Sequence, residues 1–238
     1  MTKVVKIGDT EIGGGKKVAV QSMCNIKTSK AEEVIRQICS LEEIGCDIIR
    51  VSVKDDDDVA ALKTIKDGIH IPLVADIHFN YRYALAAIDA GVDKIRINPG
   101  NIGSEHNVAE VAKALRDSGT AVRVGSNSGS VERGLLEKYG KNEISLAESA
   151  LKNVAVLERY GVDNIVVSAK ASNVPLTKKT YEYLSRKTDY PLHIGVTEAG
   201  TLGSGVIKSA IGIGSLLLEG IGRSEERRVG KECRSRWS

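Results

Sequence analysis

The sequence is short of aromatics, of cysteine pairs, of long apolar runs and of net charge, and each shortage removes a class of protein. Phe, Trp and Tyr make up 4% of the 238 residues, so the ring platforms on which single-stranded nucleic acids stack are scarce. The formal charge is +3, and all of it comes from Arg223 to Ser238, where six Lys/Arg face three Asp/Glu; the rest of the chain carries 28 of each sign. A body without a basic surplus has no electrostatic footprint for DNA or RNA, so no nucleic-acid partner is expected. No stretch reaches 18 consecutive apolar residues, and Met1-Thr2-Lys3-Val4-Val5 lacks the basic-then-apolar order of a signal peptide. Neither a membrane span nor export is expected, and the protein reads as cytoplasmic. The four cysteines, Cys24, Cys39, Cys46 and Cys233, form no CxxC pair and no metal-ligand spacing. They read as free thiols, with no metal site of their own.

What the sequence holds in quantity is alternation. From residue 18 onward, short β-branched runs trade places with longer segments of helical period. Strands are expected at 18–23, 47–53, 72–78, 94–98, 121–127, 164–170 and 191–197. Helices are expected at 29–44, 55–66, 81–90, 105–117, 145–160, 176–188 and 205–218. Three helices end in one punctuation, Gly45-Cys46-Asp47, Gly91-Val92-Asp93 and Gly161-Val162-Asp163, where Gly suits a left-handed C-cap just before a strand. A βα unit repeated this often implies a parallel sheet and an α/β fold of the TIM-type (β/α)8 barrel class.

The eighth strand is not legible. After Leu218-Glu219-Gly220-Ile221-Gly222 the chain continues as Arg223 to Ser238, which has neither strand nor helix period and holds the single Trp237. That stretch matches one reading frame of a widely used sequencing-adapter DNA; the alternative is a disordered basic tail. The expected organisation is a barrel domain over 1–222, truncated before strand eight, followed by a non-native tail over 223–238.

Side chains alternate between the faces of a strand, so the parity of polar residues says where they aim. Arg50 and Ser52 share a face with Ile48; Asp76 and His78 oppose Leu73, Ala75 and Ile77; Arg96 and Asn98 oppose Ile95 and Ile97. Arg123 and Asn127 oppose Val122 and Val124, and Ser168 and Lys170 oppose Ile165 and Val167. The polar sets look inward and fall toward the carboxyl ends of the strands, where barrels of this kind carry their sites. Arg50, Arg96, Arg123 and Lys170 bring four cations to one mouth, against the carboxylates of Asp76 and Glu198. A surplus of buried cations makes sense with an anionic ligand, and guanidinium forks suit phosphate oxygens. Any one Arg alone would read equally well as half of a structural ion pair.

Of the two strand histidines, His78 is the better site candidate, and His193 reads as a structural residue. Thr197-Glu198-Ala199-Gly200-Thr201-Leu202-Gly203-Ser204-Gly205 is a Gly- and hydroxyl-rich loop entering a helix, suited to cradling phosphate or simply to turning. Gly212 and Gly214 read as close helix packing, because no strand precedes them. Asp55 to Asp58 read as acids that open a helix rather than as metal ligands.

The ordered blocks Val20-Gln21-Ser22-Met23, Ile49-Arg50-Val51-Ser52-Val53, Ala75-Asp76-Ile77-His78-Phe79, Lys94-Ile95-Arg96-Ile97-Asn98-Pro99-Gly100-Asn101-Ile102-Gly103 and Gly195-Val196-Thr197-Glu198-Ala199-Gly200 carry a resemblance. Together they resemble the 4-hydroxy-3-methylbut-2-en-1-yl diphosphate synthase family of isoprenoid biosynthesis, from about residue 3 to Gly222. The resemblance implies an oxidoreductase that opens 2-C-methyl-D-erythritol 2,4-cyclodiphosphate by two-electron reductive dehydroxylation. Electrons would come from ferredoxin or flavodoxin. It implies Arg50, His78, Arg96, Asn98, Arg123, Asn127 and Lys170 as substrate contacts, and Glu198 as the carboxylate beside the reacting carbons.

In that family a C-terminal domain supplies three Cys and one Glu to a 4Fe–4S cluster and closes over the barrel of the partner in a homodimer. That domain, and the Arg and Ser of strand eight, have no counterpart in this sequence. The expectation is a fragment that binds diphosphate at best and is inactive alone. Two other readings stand beside it: a stand-alone phosphate-ester barrel of the aldolase or pterin-binding synthase type, marked by a Schiff base on Lys170, and a non-functional product of a truncated gene.

Overall fold

The Gly-x-Asp punctuation organises the start of each repeat. Gly45, Gly91 and Gly161 all adopt positive φ, which ends the preceding helix without a Cβ clash. The aspartate two residues on then ties neighbouring strands: Asp47 accepts the Val20 N–H at 2.7 Å, and Asp93 accepts the Leu73 N–H at 2.7 Å. The computed structural model describes residues 2–222 and 224–226. Most of the segment read as an adapter-derived tail, including Cys233 and Trp237, lies outside the described residues.

The chain opens with a hairpin, β1 (Val5–Ile7) and β2 (Thr10–Ile12), followed by β3 (Ala19–Met23). Helices and strands then alternate: α1 (Ala31–Glu43), β4 (Ile48–Val53), α2 (Asp56–Asp67), β5 (Leu73–Ile77), α3 (Tyr81–Asp89) and β6 (Lys94–Ile97). After a 3-10 turn (Pro99–Asn101) come α4 (Glu105–Ser118), β7 (Ala121–Asn127), α5 (Arg133–Tyr139), α6 (Glu143–Arg159) and β8 (Ile165–Lys170). The series ends with α7 (Val174–Ser185), β9 (His193–Ile194), α8 (Leu202–Leu218) and β10 (Ser224–Glu226). Several helices begin where a side chain caps the first turn. Asp55 accepts the Asp58 N–H at 2.9 Å, and Asn142 with Ser145 forms a reciprocal capping box on α6. The acid run at Asp55 to Asp58 is thus consumed by helix initiation, with Asp58 also accepting from Ser29 and Lys54 N–H.

The barrel strands are parallel, in the order β8-β7-β6-β5-β4-β3-β10-β9, and a bridge between Val167 and Leu192 joins the two ends of that order. The eight-stranded barrel class expected from the repeat is therefore the fold. Strand pairing continues past Gly222, the point at which the sequence pattern stops: β10 pairs with Ala19 to Gln21 on one side and with His193 and Ile194 on the other. Parallel pairing is a main-chain interaction, so three residues without apolar period can fill a gap whose two edges offer open N–H and C=O groups.

Parity places the core as expected. Ile49, Val51, Ala75, Ile77, Ile95, Ile97, Val122, Val124, Ile165 and Val167 point outward into one apolar layer under the helices. Inside the barrel a second, smaller layer forms from Ala19, Ile48, Val74, Ala121 and Val166 together with Val5, Ile7 and Ile12 of the hairpin. The hairpin, which the sequence reading did not draw, plugs the amino end of the barrel. Above this plug Lys94 is fully buried and donates to Gln21 Oε1 at 2.8 Å. The polar rows above them make the mouth.

Candidate functional site

Asp76 sits at the centre of the mouth. Its side chain is 2% exposed and meets Arg50 Nη2 at 3.2 Å, Arg96 Nη1 at 3.3 Å and His78 Nε2 at 3.5 Å. Burial on its own pushes this carboxyl up, but the attraction of Arg50, Arg96, His78 and Arg123 prevails and holds its pKa at about 2. Arg96 Nη1 also lies 3.1 Å from His78 Nδ1. Arginine has no acceptor, so His78 Nδ1 must accept and the ring proton sits on Nε2, facing Asp76. His78 is therefore held neutral, in keeping with its pKa, which burial lowers below 6.5 and the two arginines lower further against the pull of Asp76.

The strand register builds the cationic wall. Arg96 is the cross-strand partner of Asp76 on one side and of Arg123 on the other, and Asn127 is the partner of Lys170 at the top of the next seam. Two guanidinium side chains directly opposite on adjacent strands repel each other, and an anion between them removes that cost. A cavity of about 120 Å³ opens here, lined by Arg50, Asp76, His78, Arg96, Arg123, Asn127, Ser168, Lys170, Val196 and Thr197.

Six of the eight residues picked from sequence thus line one cavity. Asn98 and Glu198 do not. Asn98 follows the last residue of β6, and its Oδ1 accepts the Gly100 N–H at 3.0 Å, capping the 3-10 turn. Glu198 lies beyond the two-residue β9, where parity no longer governs direction, and its side chain is exposed next to the cavity-lining Thr197. Its φ of 50° is the one positive value at a non-glycine among the described residues. Such a backbone costs on the order of 1 kcal/mol and marks a loop shaped by something other than local preference. Ser168 had the right parity but had been given no role; Val196 is apolar and carried no signal. His193 is fully buried, as its structural reading required.

The three described thiols do not form a ligand set for an iron–sulfur centre. Cys24 and Cys46 are buried in the apolar layer beneath the helices, and Cys39 lies on α1. Among the described residues no three His, Cys, Asp or Glu side chains converge on a point where a metal could sit. No described helix is long and apolar enough to cross a membrane.

The family model described as the GcpE TIM-barrel domain matches residues 2–226. The chain belongs to that family. It is 54% identical over 223 residues to the 4-hydroxy-3-methylbut-2-en-1-yl diphosphate synthase (flavodoxin) of Caldanaerobacter subterraneus, covering 93% of this chain and 63% of the relative. The enzyme of the same name from Symbiobacterium thermophilum is 50% identical over 233 residues, 98% of this chain and 63% of its own. The chain thus spans under two thirds of the length of these relatives. The barrel also shares its shape with solved structures of other names. The Yersinia pestis dihydropteroate synthase superposes with a TM-score of 0.70 at 13% identity, over 99% of this chain and 96% of its own. A truncated 3-deoxy-D-arabino-heptulosonate 7-phosphate synthase from Thermotoga maritima gives 0.69 at 13% identity, over 97% and 85%. At such identities the likeness is one of fold alone.

Proposed function

We propose that this chain is the substrate-binding barrel of a 4-hydroxy-3-methylbut-2-en-1-yl diphosphate synthase, and that its cavity holds the diphosphate of 2-C-methyl-D-erythritol 2,4-cyclodiphosphate. The observation that carries the reading is the cavity lining: Arg50, Arg96, Arg123 and Lys170 against the single carboxylate of Asp76. The relatives at about half identity, named for a diphosphate product and for flavodoxin, support it.

In this reading Arg96 and Arg123 grip the phosphate oxygens from neighbouring strands, with Arg50 and Lys170 completing the positive wall. Asn127 donates from the upper rim. Neutral His78 offers its Nε2 proton to Asp76 or to a ligand oxygen. Asn98 and Glu198 act from the loops above, Glu198 beside the reacting carbons as proton donor to the hydroxyl that departs as water. In the intact enzyme the reduction draws electrons from flavodoxin or ferredoxin in a homodimer. The 4Fe–4S cluster implied by the resemblance finds no ligand set among the described residues; in this reading the chain's own part is to bind the substrate.

Titration calorimetry with the cyclic diphosphate and with inorganic pyrophosphate tests the reading. Saturable one-site binding, weakened by salt, is expected; absence of binding to either anion at low ionic strength refutes it.

A further inference from the structure

The seam between β8 and β9 is joined in an unusual way. Below, Val167 N–H donates to Pro191 O at 3.0 Å; above, Thr197 N–H donates to Ala171 O at 3.2 Å. A regular parallel ladder would put a direct bond from Ala169 N–H to His193 O between them. The phenol of Tyr181, reaching in from α7, occupies that rung instead. It accepts from Ala169 N–H at 3.2 Å and donates to His193 O at 2.6 Å. Tyr181 is fully buried. A hydroxyl is suited to the post because it both accepts and donates. The inserted oxygen holds Ala169 N and His193 O roughly 5 Å apart, where a direct bond would hold them about 2.9 Å apart.

The two sides of this spread rung carry facing parts of the cavity. Ser168 and Lys170 flank Ala169 on β8, and Val196 and Thr197 follow β9. We propose that Tyr181 is a positioning residue for the anion site: its hydroxyl is a wedge that sets the gap between Lys170 and the Thr197 wall. The gap admits two linked phosphates in preference to one. This rests on the diphosphate reading of the cavity.

Pyrophosphate and orthophosphate are titrated into the 238-residue chain and into Tyr181→Phe, with stoichiometry and Kd fitted separately and melting followed in parallel. The variant is expected to keep its stoichiometry and its orthophosphate affinity while losing about tenfold of its preference for pyrophosphate, which corresponds to about 1.4 kcal/mol. A lower melting temperature or lower stoichiometry with the preference unchanged would assign Tyr181 a merely structural role and overturn the proposal. Because deleting a buried hydroxyl can cost folding, Tyr181→p-aminophenylalanine is measured alongside. That side chain still donates to His193 O and is expected to retain most of the preference; a loss as large as that in a folded Tyr181→Phe, or loss of preference when only this variant folds, counts against the wedge. If the wild-type chain binds no pyrophosphate, the proposal falls with the reading beneath it. If the wild type binds and the variants match it, the wedge alone falls.

Discussion

Gly125 and Ser168 are in contact so close that a methyl group on Gly125 would stand 2.4 Å from the Ser168 hydroxyl oxygen. They are register partners on β7 and β8, and Ser168 lines the cavity. Gly125 has no positive φ, so space and not conformation demands glycine here. Gly125→Ala must drive the Ser168 side chain out of place or part the two strands. The expected result is a loss of about 1 to 3 kcal/mol in stability together with weaker pyrophosphate binding, read by urea unfolding and calorimetry. Gly125→Ala combined with Ser168→Ala should recover part of both losses, since the clashing oxygen is gone.

Arg96 and Arg123 share one rung of the sheet. Replacing either by Ala is expected to weaken binding of the cyclic diphosphate by roughly 2 to 5 kcal/mol. Equal affinity in wild type and both variants, by calorimetry, would show that the anion is held elsewhere.

Acid should unfold the protein partly through Asp76. Its folded pKa is about 2 against 3.8 when unperturbed, so the folded state binds its proton less readily than the unfolded one. The stability this confers is complete above pH 3.8 and is lost as pH falls toward 2, about 2 kcal/mol in all. His78 acts in the same direction at higher pH. Its folded pKa lies below 6.5, so the neutral ring favours the fold fully above 6.5, and that contribution declines as pH drops below it. Unfolding curves across pH 2 to 8 should show both phases, with His78→Gln removing the upper one and Asp76→Asn the lower.

Gly212 lets α8 approach the cavity wall, since a Cβ there would sit 2.7 Å from Val196 Cγ2. Gly212→Ala gains up to about 1 kcal/mol of helix propensity but presses Val196 toward the ligand. The variant is expected to bind pyrophosphate more weakly without a matching fall in melting temperature, a split that calorimetry and thermal unfolding detect together.

Period-two parity made the barrel legible wherever strands are long. β4, β5, β7 and β8 run five to seven residues, and there Arg50, Asp76, Arg123 and Lys170 face inward as their spacing requires. At the shortest strand and in the loops the rule gives out. β9 has two residues, so Thr197 and Glu198 obey loop geometry, and the Asn98 Oδ1 caps a turn. The hairpin escaped because each of its strands has three residues around a Gly8-Asp9 turn, too little for a periodic signal. α5, with no buried residue, shows no apolar stripe and was missed for that reason. The Tyr181 bridge joins groups that only the closed seam brings together, and no local pattern announces it.

The stopper formed by Val5, Ile7 and Ile12 makes the barrel a blind well. Whatever enters past Asn127 and His78 must leave by the same door, so arrival of one molecule and departure of another exclude each other in time. A body resting on that rim would govern both movements at once, and the dwell time of a captured anion would then reflect the coming and going of its cover as much as the strength of the grip below.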